Sequence, residues 1–165
     1  MKNQGGGWRM ESTPVKCDSL PTVDTDGSPI RDFGGFTSCF ATPSALCMKE
    51  QLVDLISCGF TREYLDKNQP PIEISEWCAC RDDCGGTYLL NVTLLDENKH
   101  NMGNYHVEED LSGPKGKEWK KVSHTFSEYG EGIRYVSFNH AGSGSAHTPG
   151  DFGSKMSGGI VRVLE

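Results

Sequence analysis

A chain of 165 residues holds one domain of ordinary size and not comfortably two. Its 16 Lys and Arg against 23 Asp and Glu leave a net charge of −7, which opposes general binding to a nucleic-acid backbone or an anionic membrane. Leu, Ile, Val and Phe supply only 33 residues, so aromatics, Met and Cys must help complete the core, while 20 Gly and 8 Pro favour many short strands over a helical bundle.

In chain order, residues 1–7 form a Gly-rich tail with nothing to bury, and Trp8 is the first aromatic anchor of a single domain over 8–165. The opening lacks the apolar run of a secretory signal, and no segment approaches the ~20 apolar residues of a membrane span. A cytoplasmic protein is therefore expected. Residues 12–35 read as turn-rich loop. Thr42-Pro43 offers a helix start, and Leu52, Leu55 and Ile56 recur at helical spacing, predicting a helix to about Ser57. Gly59 then suits a left-handed cap, and Thr61 starts a second short helix through Tyr64-Leu65 that Pro70-Pro71 must stop.

Beyond Pro71 the period changes to two. Ile72 and Ile74 share one strand face. Tyr88, Leu90, Val92 and Leu94 alternate with Leu89, Asn91, Thr93 and Leu95, which predicts a central strand buried on both sides. Further strands are expected at Tyr105-His106-Val107, Trp119–Phe126, Arg134–Asn139 and Ile160–Leu164, with Gly142-Ser143-Gly144-Ser145 as a mobile loop. Two short helices among many short strands describe an all-β, antiparallel sandwich of the jelly-roll or galactose-binding kind.

Motifs for covalent chemistry are missing. There is no nucleophile elbow, zinc-binding helix, kinase signature or phosphate-cradling loop, so the chain is read as a non-enzyme with no cofactor. A distributed carboxylate pair of the glycosidase type is the remaining catalytic alternative. Cys78-x-Cys80-x-x-x-Cys84 has three thiols but neither zinc spacing nor a fourth ligand, and reads as a loop of small residues joining two strands. Seven cysteines, an odd number, fit reduced thiols better than a disulfide framework. The five histidines have no catalytic neighbours in sequence and read as hydrogen-bonded structural residues. Lys120-Lys121 reads as a solvated strand edge that discourages sheet-to-sheet association.

Several segments carry a family resemblance. They include Gly7-Trp8, Val53-Asp54-Leu55, Tyr64-Leu65-Asp66, Gln69-Pro70, Glu76-Trp77, Arg81-Asp82-Asp83, Val122-Ser123-His124-Thr125-Phe126, Tyr129 through Val136, Phe138-Asn139-His140 and Phe152-Gly153. In that order they resemble the F-box-associated domain, the substrate-recognition half of the sugar-recognising F-box proteins. Gly153-Ser154-Lys155-Met156 is most similar to the nonspecific cytotoxic cell receptor protein branch.

The resemblance implies a β-sandwich whose end loops bind the inner chitobiose of N-glycans and deliver misfolded glycoproteins for ubiquitination. Other members of the family bind no glycan. It also implies a contact surface at residues 40–44, 78–86 and 141–151, with Phe40, Ser44, Arg81, Asp83, His147, Thr148, Pro149 and Asp151 as ligand-binding candidates. The family's sugar binders carry aromatics and a lysine in the last loop, where this chain reads Ala146-His147-Thr148-Pro149-Gly150-Asp151. His147 presents a smaller ring there, with Phe40 as a second wall and Asp83 as a hydroxyl acceptor. The alternative places His147 in solvent, Phe40 in the core and Asp83 at a turn. Only seven residues precede Trp8, too few for an F-box, so ligase components are expected only through another chain. The competing expectation is a receptor-like or cytosolic protein that recognises a non-sugar ligand.

Overall fold

The computed structural model describes residues 7–10, 16–20, 35–80, 85–144 and 153–165. Among these lie ten strands: β1 (Arg9–Met10), β2 (Lys16–Ser19), β3 (Ser38–Ala41), β4 (Cys47–Asp54), β5 (Ile72–Cys80), β6 (Gly86–Leu95), β7 (Asn101–Asp110), β8 (Lys120–Phe126), β9 (Tyr135–Gly144) and β10 (Ser154–Val163). One α-helix, α1 (Arg62–Asn68), and a single 3-10 turn (Pro114–Lys117) complete the described elements. The strands form two five-stranded antiparallel sheets, β1-β4-β9-β6-β7 and β2-β3-β10-β5-β8. The expected all-β sandwich is what forms.

Alternation places the core between the layers. Tyr88, Leu90, Val92 and Leu94 of β6 point inward and are buried, facing Ile72, Ile74 and Cys78 of β5 and Met156 of β10. Each large side chain so buried contributes roughly 1.5–3 kcal/mol. The opposite face of β6 is not buried as the sequence suggested: Asn91 is exposed, and Leu89, Thr93 and Leu95 are half-buried. A sheet with one solvated face needs only one apolar row per strand, and β6 supplies that row.

The first predicted helix is not formed. Residues Cys47–Asp54 are instead β4, paired with β9 from Cys47↔Gly142 through Asp54↔Tyr135. The helical spacing of Leu52, Leu55 and Ile56 does not define one face, because Leu55 enters the core while Leu52 and Ile56 lie exposed. Pairing along a whole strand outweighs a weak local preference. Just past β4, Asp54 Oδ1 accepts the amides of Ile56 and Ser57 at 2.9 and 3.1 Å, and Gly59, at φ 104°, closes the turn.

The second predicted helix is present as α1. Thr61 Oγ1 accepts the Tyr64 amide at 3.1 Å, and Gln69, in the left-handed region at φ 42°, ends the helix just before Pro70. Buried Leu65 fastens α1 to the core.

Two further expectations need correction. Cys78 and Cys80 lie on β5, buried, and not in a connecting loop; small side chains there let β10 and β6 pack closely. Gly142–Gly144 continues β9 and is not a loop, since β4 and β6 both pair with it. Lys120 and Lys121 do lie exposed on an edge strand, β8.

The two open sides of the sandwich are each closed by aromatic and charged groups. On one side Tyr105 of β7 stacks on His124 of β8, centroids 4.4 Å apart, and Lys120 pairs with Glu109 at 2.7 Å. On the other, Trp8 stacks on His140 at 4.4 Å and meets Phe40 and Phe138 edge-on.

Candidate functional site at one end of the sandwich

At one end antiparallel topology gathers the β7–β8 connection, from Asp110 beside Thr87 to Lys120 beside Cys78, and with it three others. β3 ends and β4 begins there, β5 ends and β6 begins there, and β9 ends where β10 begins. These are the connections that the sequence singled out. The other end carries α1, the β6–β7 turn and the segment between β8 and β9.

Glycines let the backbones at the base of this end approach one another. A Cβ on Gly86 would lie 2.5 Å from the Ser143 carbonyl oxygen and 3.0 Å from the Ser154 amide. On Gly142 it would meet Ser154 Oγ, and on Gly153 it would lie 2.8 Å from both the Gly144 amide and the Pro43 carbonyl. Hydrogen bonds then fasten the pieces. The Thr42 amide donates to the Ser154 carbonyl at 3.0 Å and the Thr42 hydroxyl to the same oxygen at 2.9 Å. The Gly144 amide donates to Pro43 at 3.2 Å, and the Leu111 amide to Gly86 at 2.8 Å. Thr42 and Ser154 are buried, so the loops rise from a fixed base.

This packing carries a prediction. Gly86→Ala has backbone on two sides and no flexible neighbour to yield, so a loss of about 2 kcal/mol is expected in a urea-unfolding titration. A midpoint equal to that of the parent protein would show that the base is not close-packed.

Of the eight candidate residues, Phe40 and Ser44 fall within the described residues. Ser44 is exposed in the β3–β4 connection. Phe40 lies on β3, half-buried and packed against the core, with its ring edge-on to Trp8 and His140. Its described surroundings are those of a support beneath the loops. Arg81, Asp83, His147, Thr148, Pro149 and Asp151 lie outside the described residues. Cys84 does too, and among the described residues no group of three or more His, Cys, Asp or Glu is placed to hold a metal ion.

Beneath the site runs a buried polar chain that sequence reading did not assemble. Glu76 of β5 accepts the Tyr88 hydroxyl at 2.7 Å, and His140 Nδ1 lies 2.8 and 3.0 Å from its two oxygens. His140 Nε2 is buried beside the Trp8 stack and has no hydrogen-bond partner among the described residues. Lys49, directly opposite His140 in the sheet, is 4 % exposed and holds its ammonium over the Phe40 ring at 2.9 Å and 4.9 Å from Trp8. Burial pulls the Lys49 amine down to about 8, against the upward influence of Glu76. Burial likewise pushes the Tyr88 phenol well up, and the Cys39 and Cys78 thiols to about 11 and about 12. Such thiols stay protonated and inert. The one sequence signal for this cluster is the two-residue period, which sets Glu76 in the row of Ile72, Ile74 and Cys78 and His140 in the row of Val136 and Phe138.

The architecture is that of an antiparallel β-sandwich domain with a glycine-packed base at one end. The family model described as the F-box associated region matches residues 1–163, and the chain belongs to that family. It is 33% identical over 168 residues to F-box only protein 2 of Bos taurus, covering 99% of this chain and 52% of that protein. It is 30% identical over 162 residues to F-box only protein 6 of Homo sapiens, covering 98% of this chain and 52% of that one. The chain thus spans about half the length of these curated relatives. Among solved structures, a family 61 carbohydrate-binding module in complex with β-1,4-galactotriose superposes with a TM-score of 0.55 at 12% identity, covering 96% of this chain and 89% of the module. At that identity the likeness concerns the fold alone. Among the described residues no helix is long and apolar enough to cross a membrane.

Proposed function

We propose that this domain is a non-enzymatic recognition module that binds N-glycans of glycoprotein partners through the connections between β3 and β4, β5 and β6, and β9 and β10, within residues 40–44, 78–86 and 141–151. The observation that supports it is the membership in the F-box associated family, together with a glycine-packed base from which the β3–β4, β5–β6 and β9–β10 connections start. A saccharide fits a shallow, polar loop surface, where a few aligned hydrogen bonds and one ring face suffice. His147 supplies the ring face in this reading and Asp83 and Asp151 the acceptors. Bound glycoprotein is then handed, in the cytoplasm, to a ubiquitin ligase whose remaining parts come from further domains or chains.

A second reading, a non-sugar protein ligand, is favoured by one feature. The last loop, Ala146-His147-Thr148-Pro149-Gly150-Asp151, has neither a large aromatic nor a lysine. A glycan array probed with the reduced protein separates the two. Binding to chitobiose-bearing glycans, lost in His147→Ala, is expected. Silence on the array alongside retention of a deglycosylated protein partner in a pull-down would replace the first reading with the second.

A further inference from the structure

The end of the sandwich opposite the loops carries an open cleft of about 590 Å³ lined by Gly59, Phe60, Thr61, Tyr64 and Glu165. It is built on fixed parts. Phe60 is held by its amide donating to Leu55 at 3.2 Å, Tyr64 by the Thr61 cap, and the C-terminal strand end by the Leu164 amide donating to Pro71 at 2.8 Å. The Phe60 and Tyr64 rings stack, 6.1 Å apart and 19° from parallel, and form one aromatic wall.

The charges around the cleft are unequal. Arg62 pairs with Glu97 at 2.7 Å, Lys67 with Glu63 at 2.6 Å, and Arg134 with Asp66 at 2.8 Å, while Arg162 reaches Glu73 at 3.2 Å. Each of these four basic side chains already has its carboxylate. Glu165, exposed on the cleft wall, has no ion-pair partner among the described residues. An aromatic wall beside an unpaired carboxylate matches a delocalised cation, which can lie on the rings and fork its N–H groups to the acid.

We propose that this cleft is a docking site for an arginine side chain presented by an extended segment of a partner protein. A neutral saccharide uses the ring wall but leaves the carboxylate without a counter-charge, and an ammonium lacks the planar face. The net charge of −7 favours the approach of a basic segment to the protein as a whole. The site is separate from the loops, so a partner held here leaves them free.

The experiment is an NMR titration of the whole 165-residue chain with N-acetyl-arginine amide, run beside N-acetyl-citrulline amide and N-acetylglucosamine. Saturable shifts confined to residues 56–65 and 164–165, with an affinity on the order of millimolar, are expected for the arginine probe alone. Glu165→Gln, an exposed change that leaves the fold intact, should weaken it about fivefold, the size of one exposed ion pair. Tyr64→Leu, which removes half the ring wall, should weaken it by a similar factor with the amide spectrum otherwise preserved. Three results would each overturn the proposal: equal binding of citrulline, shifts that saturate with N-acetylglucosamine instead, or arginine shifts spread over the acidic surface and unchanged by Glu165→Gln.

Discussion

Glu76→Ala should lower the stability of this domain by about 4 kcal/mol, the range found when one member of a buried charged group is removed. Three partners lose their counterpart at once. The Tyr88 hydroxyl donates to Glu76 at 2.7 Å, His140 Nδ1 lies at 2.8 Å, and the Lys49 ammonium has it as its balancing charge. Tyr88 and His140 are at most 1 % exposed, so water cannot replace the lost contacts without opening the core. For a chain of this length the melting temperature should fall by roughly 8–16 °C, read by calorimetry. Glu76→Gln keeps the shape and one acceptor for Tyr88, and its loss should be about half as large. Equal midpoints for the alanine variant and the parent would mean that the polar chain does not contribute to holding the sheets together.

Asp66→Ala is expected to cost about 3 kcal/mol, by the same mechanism at the opposite end of the molecule. Asp66 takes both Nη atoms of Arg134, at 2.8 and 2.9 Å, and also accepts the Gly132 amide at 2.9 Å. Arg134 is 7 % exposed and, among the described residues, its Nε has no partner, so losing the carboxylate leaves the guanidinium there with the Ile133 carbonyl alone. The same pair predicts acid sensitivity. Hydrogen bonds from Arg134, then that from Gly132, hold the Asp66 carboxyl below its ordinary value of 3.8. A carboxyl lowered in the folded state contributes stability that is fully present above its unfolded value and is lost as the pH falls through the folded one. Asp66→Asn should therefore be less stable than the parent at neutral pH, with the gap narrowing below pH 3.8. A gap that stays constant in urea titrations down to about pH 2.5 would contradict this assignment, the window chosen to lie below that ordinary value.

These two clusters also explain what the family motifs do. Tyr64-Leu65-Asp66 and the segment from Tyr129 to Val136 meet through Asp66 and Arg134, and Tyr129 donates its hydroxyl to the Pro70 carbonyl at 2.7 Å. Gln69 accepts the Gly130 amide at 3.2 Å. Glu76-Trp77 meets Phe138-Asn139-His140 through Glu76 and His140. Val53-Asp54-Leu55 closes the turn after β4. The most recognisable segments are thus the ones that hold the scaffold together, so a match to them identifies the fold. In the proposed recognition role the choice of ligand would fall to loop residues, Ser44, His147 and Asp151 among them.

What could be read from the sequence was local. The two-residue period from Tyr88 to Leu94, the Thr61 cap and the Pro70 stop each depend on neighbours within a few positions, and all three appear in the fold. Tertiary structure decided whatever depended on distant partners. Residues 47–54 became a strand because β9 pairs with them along their length, against a short helical spacing that had no common face to bury. Glu76 and His140 are 64 positions apart, on different sheets, and meet only because the two sheets pack together with these side chains inside. Gly86, Gly142 and Gly153 look like ordinary turn residues until the sheets bring their backbones together at one end. The periodicity of a strand specifies which side chains face inward, but not which strand lies opposite, and it is that second choice that assembles the sites.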